Sequence, residues 1–594
     1  MTDILLPQND TDVIQRQLAL AAGQEMYQYK DNYQALNGIP MADGLPMCEY
    51  PGPRWIWKAA EAGIALLKNR LENYSDDAQF EIKMKIAKLT YKLLVSKKDR
   101  GMLKWLLGEA KISGHKNRPT SLDDYREFFK SLDLPTIATN FQEDGIFARM
   151  RVAGQNPLVI QGIDALDDTF PVTDALFQAV HHFEQDSLAE AGAEKRLYLA
   201  DYVDISNIEN GETDGVQKYA YAPKALFAIP KTVSDLRTAL LPIAIQCGQT
   251  PEHNPIFTPS DGPAWEIAKT IVQIADFNYH ELISHLGGTH LVTEPFVVST
   301  HRQLAENHPL SVLLLPHFEG TIFINYESQD KLVADGGSFD QMFSGTMSSN
   351  RAVVGARVLA CRFNDEMFPN KIKQRGVADK KLFYPYRDDA EKIWNATHKW
   401  VSGYLDVYYK RDQDVLDDSE LAAWANELST DTPKGGKVKG FGDLGDGKIT
   451  TLAYLKEAVT MVIFTASAQH AAVNFSQKDF SGYPPAMPAA GYTPAPTAKG
   501  KTDQDYLDLL PPLKIADDQV DLTFILSGVD YTTLGHYSWN LFKNDEVKSI
   551  LHDFLGELES IEAQIQERNA QAAQVGITPY DYLSPSKIPQ SINI

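Results

Sequence analysis

Apolar positions along this chain recur mostly at intervals of three and four residues, the spacing that keeps them on one face of a helix. Between Pro53 and about Leu132, the runs WIWKAAEAGIALLKNRL and IKMKIAKLTYKLLV set Ile82, Ile86, Leu89 and Leu93 on one stripe and Lys83, Lys85, Lys88 and Lys92 on other faces. Residues 1–50 keep no period and scatter Gly, Pro, Asn and Asp, which predicts a loosely held arm draped over the body. From about Leu134 onward the spacing is again helical, interrupted by two short strand-like pieces, NPLVIQGI from Asn156 and KALFAIP from Lys224. The uncharged stretch Ala458 to Gln477 is long enough to span a bilayer, but Thr460, Thr465, Ser467, Gln469, His470, Asn474 and Ser476 make it a buried helix with chemistry on it. Gly- and Lys-rich Thr432 to Lys448, and Ser481 to Thr502 with its five prolines, read as surface loops. The expected architecture is mainly α, with an arm and basic helical extension over residues 1–133 and one large helical unit with a small strand-containing subdomain over 134–594.

With 43% apolar and 23% charged residues the chain falls in the ordinary folded class, which excludes collagen-like and disordered types. Its 56 basic against 79 acidic residues, net −23, argue against nucleic acid as a partner. Residues 54–118 run the other way, with 15 Lys+Arg against 7 Asp+Glu, a local +8. A basic amphipathic segment of this kind suits an anionic membrane surface, although a helical pair packed on the body with its lysines in water has the same pattern. Cys48, Cys247 and Cys361 form no CxxC pair, and the N-terminus has neither a basic start nor an apolar core. The expected compartment is the cytoplasm, with peripheral membrane contact at most.

No GxGxxG, P-loop or GxSxG motif is present. Instead, ADFNYHELISHLGGTHLVTEP places His280, His285 and His290 five residues apart. In a regular α-helix, five residues turn through about 500°, leaving the side chains about 140° apart, too far for one ion. A π-bulge brings positions i and i+5 together, and Gly287 and Gly288 ease the distortion. Such a bulge points to a metal; satisfied buried or surface histidines are the plainer alternative. Downstream, His470 and Asn474 in FTASAQHAAVNFSQ are four apart and share a helix face without distortion. Imidazoles with an amide oxygen and no thiolate suit a divalent transition metal other than structural zinc. The apolar tail ending at Ile594 offers an anion if its α-carboxylate is buried, or simply packs in a groove.

These segments closely resemble the lipoxygenase family. HLGGTHLVTEPFVVSTHRQLAENHPLSVLLLPHFEGTIFIN, SAQHAAVNFSQ and the tail PQSINI match its motifs in order, over roughly Ala138 to Ile594. The resemblance implies a mostly helical catalytic domain holding one non-haem iron, ligated by His285, His290, His470, Asn474 and the carboxylate of Ile594, with His280 beside the site. It implies supporting roles for Glu281 and Gln477 and an acyl pocket at Leu332, Phe339, Phe343 and Leu526. Several positions depart from the pattern. Leu286 replaces a plant-type Trp, Ser328 stands where Ala or Gly steers the face of oxygen addition, and Met487 replaces a plant-type Arg. The basic helical segment stands where plant members carry a β-sandwich that binds lipid. The implied activity is insertion of O2 into the 1,4-pentadiene unit of polyunsaturated fatty acids to give hydroperoxides, with hydrogen abstraction by ferric hydroxide. Fatty-acid hydroperoxide isomerisation on the same scaffold is the alternative, followed by non-catalytic lipid binding.

Overall fold

The first cluster of residues expected to carry chemistry, His280 to His290, lies on one continuous helical rod. In the computed structural model, which describes residues 3–73, 118–528 and 531–594, this rod is α-helical over Pro263–Tyr279, π-helical over His280–His290 and α-helical again over Leu291–Gln303. Pro263 opens it, fixing a helical φ at a position whose N–H has no partner in the helix. The rod is buried on nearly all sides: Ile271, Val272, Ile274, Leu282, Leu291, Val297 and Val298 are inaccessible, and so are polar residues such as Asp276 and His280. A second composite helix runs Leu452–Phe464, then π-helical Thr465–Gln469, then His470–Asn474. Outside these, Pro385–Tyr408 and Asp545–Gln574 pack together, with Trp400 stacked on Phe554 at 5.9 Å.

The strand-containing part is a five-stranded antiparallel sheet in the order Gln161–Ile163, Leu197–Asp201, Lys224–Ala228, Leu241–Gln246, Ile256–Phe257. Each strand-like piece expected from sequence contributes a strand to it, NPLVIQGI only through its last three residues, Gln161–Ile163. Successive side chains of its central strand serve different cores: Leu226 and Ala228 join Phe170, Phe177 and Phe183, whereas Ala225 and Phe227 face the main helical body.

Three expectations need amendment. The N-terminal arm does drape over the body, but it is firmly held. Leu6, Leu36, Ile39 and Met41 are buried, and Arg16, on the helix Val13–Met26, is buried between Asp10 and Glu420 at 2.9 and 2.5 Å. A few isolated anchors do what a periodic stripe would otherwise do. The Pro-rich segment from Ser481 to Tyr492 is not a surface loop: every residue of it is buried. Irregular backbone can be buried only when its polar groups find partners. Here Gln519 Nε2 donates to the Ser481 and Met487 carbonyls, its Oε1 accepts from Ala489 N, and Gln273 and Asn278 donate to the Ala486 and Ala489 carbonyls. Only the end of the segment, past Tyr492, becomes largely exposed. Thr432 to Lys448 is irregular as expected, with Leu444 exposed, but Phe441 pins it to the core. The helical stripe expected over Ile82 to Leu93, with Lys83, Lys85, Lys88 and Lys92, lies outside the described residues.

The apolar tail is buried. Leu583, Ile588, Ile592 and Ile594 are at most 3% exposed, and the chain end is fixed by Thr321 Oγ1 donating to the Ile592 carbonyl and Trp55 Nε1 to that of Asn593. Gly320, at φ +83°, passes so close to the tail that a Cβ there would lie 2.9 Å from Asn593 Cβ.

Candidate metal centre

The i, i+5 spacing is accommodated as the π-helix His280–His290, and glycine is required within it. A Cβ on Gly287 or Gly288 would come within 2.8 Å of the Leu282 or Ile283 carbonyl. This wider turn brings His285 and His290 together, with their Nε2 atoms 3.2 Å apart. His470, on the second composite helix, completes a triangle: its Nε2 is 3.4 Å from that of His285 and 3.2 Å from that of His290.

The protons on these rings are fixed from behind. His285 Nδ1–H donates to Glu281 Oε2 at 3.2 Å, and His290 Nδ1–H donates to Asn325 Oδ1 at 2.9 Å. Both Nε2 atoms therefore present bare lone pairs to each other and to His470. Burial, then the neighbouring His285, pushes the His290 imidazole down to about 3, against the Asn325 hydrogen bond. His470 is held well below its ordinary value by burial and then by His290 and His285, opposed by the main-chain oxygen of Ile594. His285 is lowered by burial against the pull of Glu281. Three neutral imidazoles aimed at one point repel one another unless a cation stands between them. A point equidistant from the three nitrogens is about 1.9 Å from each, close to the ~2.0–2.1 Å of a metal–imidazole bond, so the residues fit a transition-metal ion.

His280 stands outside the triangle, as expected: its Nε2 is engaged by the Val473 carbonyl and its Nδ1 lies 3.1 Å from Gln155 Nε2. Glu281 bridges His280 and His285. Burial works to raise its pKa, but those two imidazoles outweigh it and hold the carboxyl at about 2. Asn474 Oδ1 accepts from Gln477 Nε2 at 3.1 Å, while its Nδ2 donates to the Leu526 carbonyl, which aims the amide. Ile594 lines the same small pocket as His285 and His290, together with Leu286, Ser328, Leu332, Phe339 and Leu526. Phe343 does not line that pocket; it stands one layer back, against Phe339 at 4.6 Å and Phe277 at 5.0 Å. Met487 is wholly buried in the Pro-rich segment.

Sequence reasoning missed four groups. Ile324 and Ile525 also line the pocket, and each directly neighbours a residue already singled out or quoted. Asn325 holds His290 and donates to Glu294 Oε2 at 2.8 Å, while Glu294 Oε1 accepts from Ala42 N at 2.7 Å, tying the N-terminal arm to a candidate ligand. Burial raises the Glu294 carboxyl to about 7. Both polar residues lay within the quoted motif stretch, but spacing alone gives no sign that they face each other.

Comparison with known proteins identifies the family. The family model described as Lipoxygenase matches residues 57–585. The chain is 37% identical to the linoleate 9/13-lipoxygenase of Pseudomonas aeruginosa, over 99% of this chain and 92% of that protein. It is 34% identical to the polyunsaturated fatty acid lipoxygenase ALOX15B of Homo sapiens, over 82% of this chain and 71% of that protein. Among solved structures, it is similar to a delta413-417:GS LOX in complex with arachidonate, with a TM-score of 0.85 and 29% identity over 100% of this chain and 84% of the other. The chain belongs to the lipoxygenase family of dioxygenases.

Proposed function

We propose that this chain adds dioxygen to the 1,4-pentadiene unit of polyunsaturated fatty acids to form hydroperoxides, with one non-haem iron held by His285, His290, His470, Asn474 and the carboxylate of Ile594. The observation that carries this reading is the convergence of three buried imidazole Nε2 atoms, those of His285 and His290 bared by their Nδ1 hydrogen bonds, beside an apolar pocket. Iron bound there supplies the one-electron chemistry that removes a hydrogen atom from the central methylene. The chain's own groups do the rest. Glu281 and Asn325 hold the Nδ1 protons of His285 and His290 and so keep the opposite nitrogens available. Gln477 orients the Asn474 amide. Leu286, Ile324, Leu332, Phe339, Ile525 and Leu526 give the acyl chain apolar walls and exclude water from the carbon radical. In the conformation described, the pocket holds only about 40 Å³, so a long chain enters as Leu332, partly exposed at a helix end, swings aside. Ser328 Oγ is tied to the Asn325 carbonyl at 2.8 Å and borders the pocket where oxygen would approach.

The test is linoleate added to iron-assayed protein, with conjugated-diene absorbance and dissolved oxygen followed together. Equal gain of diene and loss of oxygen is expected. Iron-loaded protein that gives neither signal, yet consumes a fatty-acid hydroperoxide, would replace the reading with the isomerase.

We also propose that residues 1–133 form an arm and basic helical extension and 134–594 the catalytic unit, with membrane contact made through residues 54–118. Among the described residues no helix is long and apolar enough to cross a membrane. The helix Pro53–Asn73 buries Trp55, Leu66 and Leu67, yet on its outer side Trp57 and Ile64 are more than half exposed beside Arg54 and Lys68. That combination suits an anionic lipid surface. Trp57→Ser protein is expected to sediment less with anionic vesicles at low salt; unchanged sedimentation would remove this helix from the contact. The three unpaired cysteines support a reducing compartment.

A further inference from the structure

Behind the two π-helices, away from the metal pocket, lies a second cavity of about 460 Å³. The two cavities share no lining residue, and the first π-helix is the wall between them: Glu281, His285, Leu286 and His290 face one, Ile283, Ser284 and Gly288 the other. The second π-helix contributes Thr465 and Gln469, the latter adjacent to His470. Most of the remaining wall is apolar, including Val292, Phe296, Met461 and Phe464.

Besides Arg375 Nε, two polar atoms on this wall have no partner among the described residues. One is Thr293 Oγ1, on a residue 2% exposed. The other is Gln469 Nε2, whose companion Oε1 accepts from the Tyr386 hydroxyl at 2.6 Å. Buried donors left unpaired in an apolar wall are costly, and a ligand oxygen would satisfy them. The opening is marked by exposed Ala356 and Ala360 and by Lys371, whose side chain is 38% exposed. Lys371 and Arg357 share one carboxylate, Glu366, at 2.7 and 2.9 Å; of the other charged lining residues, Arg375 donates to the Leu158 carbonyl and the Tyr384 hydroxyl and Asp204 accepts from the Tyr279 hydroxyl, so the lining sums to a formal +1.

We propose that this cavity binds a single-chain carboxylate lipid bearing a mid-chain hydroxyl, and that its occupant modulates turnover at the metal centre. The chain lies along the apolar walls, its hydroxyl meets Thr293 and Gln469, and its carboxylate stays near Lys371. The route of influence is short. Arg357 lines the cavity and lies over Gly287, where a Cβ would meet Arg357 Cγ at 3.0 Å, and Gly287 sits between His285 and His290. The ligand class rests on the fatty-acid reading above, since hydroxy fatty acids are the reduced form of its products.

The probe is 12-hydroxystearate, which has no pentadiene and is not consumed, compared with stearate on the iron-loaded enzyme. Binding is measured by calorimetry and linoleate turnover in the same preparation. The expected result is that 12-hydroxystearate alters kcat and is not displaced by linoleate. Thr293→Val should weaken its binding about 3- to 10-fold at unchanged iron content while leaving stearate binding as it was. Ala356→Trp, at the solvent-facing opening, should remove the kcat effect. Purely competitive kinetics, equal binding of the probe by Thr293→Val, or an undiminished effect in Ala356→Trp would each overturn the proposal. Linoleate turnover without probe separates the two ideas: turnover with no second binding event sinks the cavity alone, whereas cavity binding without turnover sinks the oxygenase reading and leaves the site.

Discussion

His470→Ala protein is expected to fold, to retain little iron after desalting, and to form conjugated diene from linoleate at least about 1,000-fold more slowly than wild type, well beyond the 10–100-fold typical of losing a supporting hydrogen bond. The physical case rests on where His470 stands. It is the one imidazole of the three supplied by the second composite helix, and its Nε2 lies 3.2–3.4 Å from both others. Removing it leaves His285 and His290 as a neighbouring pair on one turn, two of the three imidazoles. Folding should survive because Ala471, Ala472 and Val473 still pack the helix into the core. Iron content per chain by metal analysis, circular dichroism and diene rate together make the test. Normal iron content with normal turnover would remove His470 from the centre.

Gln519→Leu is expected to lower global stability by about 3–5 kcal/mol, because it leaves two carbonyls and one N–H buried without partners at roughly 1–3 kcal/mol each. Those groups are the Ser481 and Met487 carbonyls and the Ala489 amide. Leucine replaces the volume but none of the hydrogen bonds, so the loss measures polar satisfaction and not packing. Denaturant unfolding with and without the substitution is the measurement. A change under about 1 kcal/mol, the scale of a surface substitution, would mean the segment finds water in place of Gln519.

The same segment marks the limit of what the sequence makes legible. SGYPPAMPAAGY has the composition of an exposed loop, and the amides that permit its burial, Gln273, Asn278 and Gln519, come from distant helices with no pattern to announce them. The anchoring of the arm is hidden for a related reason: Arg16 reaches Glu420, and no local periodicity records a pairing across 404 residues. By contrast, the π-helix at His280–His290 is legible because its three histidines recur at a spacing an α-helix cannot serve, with glycines beside them. The π-segment Thr465–Gln469 is not, since His470 and Asn474 need no distortion. The ligand residues stood out by type and spacing; the Asn325–Glu294–Ala42 support depends on approach in space alone.

That support carries an implication for how the protein is made. His285 meets His470 across 185 residues, and Ala42 braces Glu294 across 252, so the centre exists only after long loops have closed around a finished core. In small zinc modules the ion nucleates the fold and chelation unravels it. We therefore expect folding to come first and the ion to bind late, so that under scarcity of the metal such a chain would persist as a folded, silent reserve that returning metal converts to working enzyme without new synthesis.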